Sequence, residues 1–134
     1  MAVIFEKKNF LKVFFFKEKK YVMFKWFRFG ILLEDLKEAH QRALDILLSN
    51  HCYYYIAETS EVIGTLTDPV VHWWNNEWVP VLRKSGIKAI VTVVPGNILS
   101  TLSTKDWQTS DFGGIIIKNV KTLEEAEFFL SSLN

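Results

Sequence analysis

One cysteine among 134 residues, Cys52, leaves no internal disulfide and suits a reducing compartment. No uncharged stretch approaches the roughly 18 apolar residues that a spanning helix needs. The Phe-rich start is interrupted by Glu6, Lys7, Lys8 and Lys12 and lacks the continuous apolar core of a secretory signal. The expectation is a cytoplasmic protein with no membrane span. A net charge of +1 is too small for a global field that recruits nucleic acid or anionic membrane, so nucleic acid is not expected as a partner. Six glycines and three prolines leave no linker, repeat or low-complexity segment. Residues 1–134 read as a single domain, long enough to bury a core without a metal or disulfide.

Chemistry-bearing constellations are also scarce. His51 and Cys52 are neighbours in an extended run, so their side chains point to opposite faces and form no dyad. His40, His51 and His72 lack metal-ligand spacing. Gly113-Gly114 is too short for a phosphate loop. No nucleophile, base and acid can be assembled, so the chain reads as a non-enzyme that needs no cofactor.

Aromatic residues are plentiful instead, at 15%, with 11 Phe, 5 Trp and 4 Tyr. They fill a core or build an interface, where aromatics are enriched. Val3–Phe5, Phe10–Phe16 and Tyr21–Phe29 read as strands. The polar Lys17–Lys20 joins the last two as an antiparallel hairpin. Tyr21–Phe29 is apolar on both faces, so periodicity does not choose its buried side.

From Leu33 the period becomes helical: Leu33, Leu36, His40, Ala43, Leu44 and Leu47 share a stripe, and Asn50 suits a left-handed stop. Cys52–Ala57 reads as a buried strand. Thr67 or Asp68 then caps a helix with Pro69 in its first turn. Val70, Trp74, Trp78, Val81 and Leu82 form its stripe, Gly86 stops it, and Pro80 predicts a kink or break. Trp73 lies about 100° off that stripe. Ala89–Val94 is apolar on both faces, the mark of a central, mostly parallel strand. A short helix is expected within residues 96–105, a strand at Ile115–Ile117, and a last helix from the capping box Thr122-Leu123-Glu124-Glu125. Alternating strands and helices after residue 30 imply a parallel section. The fold class expected is α/β: a mixed sheet of five or six strands, an N-terminal antiparallel hairpin, and helices mainly on one face.

The hairpin before Gly30, the helix Leu33–Leu48, the run Trp74-Asn75-Asn76-Glu77-Trp78-Val79-Pro80, Gly86 with strand Ala89–Val94, and the Thr122–Ala126 start together resemble the SpoIIAA-like (STAS-like) family of small bacterial proteins. The resemblance covers nearly the whole chain as an order of elements. It implies a regulatory protein-interaction module. Members that antagonise anti-sigma factors carry a phosphorylated serine in an Asp-Ser-Ser-Gly-like turn before a helix. The equivalent segment here, Glu58–Asp68, lacks that turn but offers Thr59, Ser60, Thr65 and Thr67 as phospho-acceptors. The partner expected is another protein or a second copy of the chain. A homodimer would use Phe14, Phe15, Phe24, Trp26 or Trp73. The alternative is a small-molecule or lipid-binding protein with an apolar ligand between sheet and helices.

Overall fold

The computed structural model describes residues 1–95 and 113–133. Six strands form one sheet in the order β1-β2-β3-β4-β5-β6. β1 (Ala2–Lys7), β2 (Leu11–Phe16) and β3 (Tyr21–Trp26) are antiparallel neighbours. β3, β4 (Tyr54–Glu58), β5 (Ala89–Val93) and β6 (Ile116–Val120) run parallel. The fold is therefore α/β with a mixed sheet and an N-terminal hairpin. Neither tight turn uses glycine. Asn9 and Lys20 take left-handed backbone at φ 71° and 65° instead, and the Lys20 N–H donates to the Phe16 carbonyl at 2.8 Å.

β3 is shorter than its apolar run. It ends at Trp26, and the chain then pairs elsewhere. The Phe29 N–H donates to the Ile63 carbonyl at 2.9 Å, and the Ile63 N–H to the Phe27 carbonyl at 3.2 Å. The next residue, Gly64, has φ 85°, and a Cβ there would sit 3.4 Å from the Phe29 carbonyl oxygen. That is ordinary contact, so the strain a side chain would bring here comes from the left-handed backbone.

α1 (Leu33–Ser49) buries Leu36, Ala39, His40, Ala43, Leu44 and Leu47. Its left-handed stop is His51, φ 54°, rather than Asn50, φ −108°. α2 (Asp68–Trp73) has Thr67 at its cap and Pro69 in its first turn. It passes through a π-helical turn, Trp74–Trp78, into α3 (Val79–Lys84). The break expected from Pro80 is this turn. A wider π turn moves the bonding partner one residue back: the Val79 N–H donates to the Trp74 carbonyl, and Pro80 enters the first turn of α3, where its missing N–H costs little. Gly86, φ 83°, ends α3, and the Ile87 N–H closes back on the Leu82 carbonyl at 3.1 Å.

Strands laid down in one direction with right-handed crossovers place successive helices on one face. α1 and the α2–α3 unit accordingly share a core with Val22, Phe24, Trp26, Tyr55 and Ile90. α4 (Leu123–Ser131) covers Tyr54, Ile56, Ala89, Val91 and Val93 on the other face with Ala126 and Leu130. Its capping box forms: Thr122 Oγ1 accepts the Glu125 N–H, and the Glu125 carboxylate accepts the Lys121 N–H, each at 3.1 Å. The short helix expected within residues 96–105 lies outside the described residues.

Candidate functional site

The aromatic surplus converges on His40. The imidazole stacks on Phe24 at 4.3 Å between centroids. Trp73, Trp74 and Trp78 surround it at 5.2–5.8 Å, and Tyr55 lies at 6.3 Å. Burial lowers the His40 pKa to about 3, so the ring is neutral and its attraction to its neighbours is apolar. Burial, and secondarily the Asp45 charge, raise the Tyr55 phenol well above its ordinary range. Beside His40 lies a cavity of about 20 Å³ lined by Trp26, Leu36, His40, Leu66, Val70, Val71 and Trp74. That volume holds roughly one water molecule. The tryptophan side chains fill the space an apolar ligand would occupy.

Trp73 belongs to this box. It is 4% exposed and stacks on Trp78 at 5.5 Å and 21° between planes. Straight α-helical geometry puts Trp73 off the buried stripe, but the π turn widens the helix and brings residues five apart into register. Phe15, Phe24 and Trp26 are likewise buried, under the helices of the first face. These four lie inside the protomer. Phe14 alone of the five expected interface residues lies on the opposite face, half-buried, with Lys12 Nζ 5.5 Å from its ring centroid.

A polar cluster closes the C-terminal end of β4. Glu58 accepts from Lys25 Nζ at 3.0 Å, from the Ser60 N–H at 2.8 Å and from the Ser60 hydroxyl at 2.7 Å. Burial pushes the Glu58 pKa up, but the Ser60 bonds and the Lys25 ammonium outweigh it, and the net shift is downward. Thr59 is fully buried, its hydroxyl donating to the Val93 carbonyl at 2.6 Å. Of the four expected phospho-acceptors, Thr59 is thus enclosed and Ser60 is bonded to a carboxylate. Thr65 and Thr67 are exposed, with Thr67 at the cap of α2 and making no side-chain cap bond. The four do not converge on one site.

The pairing of Phe27–Phe29 with Ile63 builds a surface feature with no simple periodic signal. Phe27 and Ile63, 42% and 47% exposed, line an open depression of about 560 Å³ with Glu6, Lys8, Asn9 and Arg28. Among the described residues, neither Lys8 nor Arg28 has a carboxylate partner. The sequence does carry one related signal. Residues 1–30 hold eight of the sixteen Lys and Arg but two of the fifteen Asp and Glu. The near-zero net charge conceals a basic segment over residues 1–30 and an acidic remainder.

Other candidates resolve quietly. Cys52 is buried, which raises its thiol pKa, and Lys20 offsets part of that rise. Among the described residues no three His, Cys, Asp or Glu side chains gather as metal ligands, and no helix is long and apolar enough to cross a membrane. Comparison with protein-family models, with curated proteins and with solved structures finds no match.

Proposed function

We propose that this chain is a non-enzymatic protein-interaction module, the role that its resemblance to SpoIIAA-like domains implies. One observation carries the reading: the depression at the Phe27–Ile63 pairing sets two exposed apolar side chains beside Lys8 and Arg28, cations with no carboxylate partner among the described residues. Apolar anchors ringed by polar groups are the usual anatomy of a protein interface. The polar groups at the end of β4 support it from another side. Glu58, Thr59 and Ser60 are committed to bonds within the chain. The ligand-binding alternative ranks second, because a cavity of about 20 Å³ falls far short of the roughly 300–1,000 Å³ of small-molecule pockets.

The test is isolation of the tagged chain from its source cells, comparing wild type with Phe27→Ser and Arg28→Glu. A stoichiometric partner, a further copy of the chain included, should be retained by wild type and lost by both variants. No partner with wild type, or the same partner with all three, would overturn the reading.

A further inference from the structure

We infer that the occupant of this depression is a second copy of the chain, which inserts Phe128 of α4 head to tail. The inference rests on the reading that the depression is a docking surface. Phe128 is 78% exposed, although its helix is well capped and has an apolar inner face to offer large side chains. Glu124 lies one turn before it on the same solvent face. Lys121, also exposed, precedes Glu124 by three residues. The outer surface of α4 therefore presents a phenylalanine knob with a carboxylate one turn behind it, and the exposed Lys121 lies just ahead of the helix cap.

The depression offers the complementary set. Phe27 and Ile63 are its apolar lining, and Lys8, Arg28 and Glu6 line it beside them; in the inferred contact the two cations meet the Glu124 carboxylate and Glu6 meets Lys121. Among the described residues Glu124, Lys8 and Arg28 have no ion-pair partner within the chain. The contact joins the basic N-terminal segment of one copy to the acidic remainder of the next. Knob and depression also lie at opposite ends of the sheet. Phe128 flanks the Glu18–Tyr21 turn at the start of β3, whereas Phe27 and Ile63 follow the ends of β3 and β4. One copy can receive a neighbour at one end while offering its knob at the other. Such heterologous contacts build a ring if the rotation closes and an open chain if it does not.

The measurement is sedimentation equilibrium of the full chain over rising concentration, at low and high salt. Wild type should gain mass beyond 15.6 kDa and past the dimer, with salt opposing the gain. Phe128→Ser and Arg28→Glu should each sediment as monomer. Glu124→Arg alone should also dissociate the assembly, and the double variant Arg28→Glu/Glu124→Arg should restore it. Circular dichroism should be unchanged in all variants, since each altered side chain is exposed. A monomeric wild type, assembly indifferent to Phe128→Ser, or a double variant no stronger than its singles would overturn the inference. The two readings separate cleanly: a monomeric wild type that still captures a different protein through Phe27 and Arg28 refutes self-assembly and leaves the interaction module standing.

Discussion

The two faces of the sheet are filled by different means. Under α1 and α2–α3 the filling is aromatic: His40, Phe24, Tyr55 and the tryptophans interlock ring on ring. Rings this large leave buried polar atoms without a hydrogen bond among the described residues, His40 Nδ1, Tyr55 Oη and Trp78 Nε1 included. On the α4 face aliphatic side chains dominate the middle of the core, Tyr21 and Tyr54 join them, and charged groups bound it. Lys25 pairs with Glu58 at one end, and Glu127 accepts from Lys19 and Tyr21 at the other, at 2.8 and 2.7 Å. Stability on the first face comes from shape, and on the second from shape with its polar edges satisfied. The two should therefore respond to different perturbations.

Removing a ring should produce the largest effect. Phe24→Ala, beneath His40, should cost about 3–5 kcal/mol by transfer and cavity terms, read as a lower urea midpoint. A loss below about 1 kcal/mol would mean the aromatic box is loosely packed.

Acid should separate the faces next. The folded pKa of His40 is lowered to about 3, against roughly 6.5 in the unfolded chain. Between those values the unfolded state binds a proton that the folded state does not. Stability must therefore fall as pH falls through that window, by up to about 1.4 kcal/mol per pH unit. Glu58 and Glu127, with folded pKa values lowered, add a loss of the same sign only nearer the carboxylate range. Urea midpoints measured from pH 7 downward should show the slope, and His40→Leu should flatten it above about pH 5. An equal slope in both proteins would remove His40 from the account.

On the α4 face, Glu58→Gln keeps the shape and the Ser60 bonds but takes away the charge opposite Lys25. The expected cost is about 1–3 kcal/mol, largest at neutral pH and absent once the carboxylate is protonated. Lys19→Ala should do least. Its ion pair with Glu127 is solvent-exposed, and such pairs contribute about 1 kcal/mol or less. If Lys19→Ala destabilised as much as Phe24→Ala, the contrast between the faces would fail.

Much of the architecture was legible in local patterns. The stripe Leu36–His40–Ala43–Leu47, the stop at Gly86 and the capping box at Thr122 each appear where the periodicity and cap chemistry place them. The double-sided apolar run Ala89–Val93 is an interior parallel strand. The surface was read less well. Phe15, Phe24 and Trp26 look available for an interface because both hairpin strands, Phe10–Phe16 and Tyr21–Phe29, are aromatic on both faces and a period of two has no contrast to work with. Trp73 was misplaced because a constant 100° per residue does not anticipate a π turn.

The amino-acid sequence by itself determined the type and order of the elements, since these follow from side-chain period, β-branching and backbone freedom over a few residues, whereas the end of β3 at Trp26 and the stop of α1 at His51 were not legible in it. Only the tertiary structure decided which face of β3 meets the helices, that His40 is enclosed by rings, and that Phe27 and Ile63 come together beside Arg28. Those outcomes depend on sheet register and on contacts between residues some 36 positions apart. Phe128 and Phe129 show the division: the helical period sets them about 100° apart, and the packing of α4 on the sheet leaves the first exposed and the second half-buried.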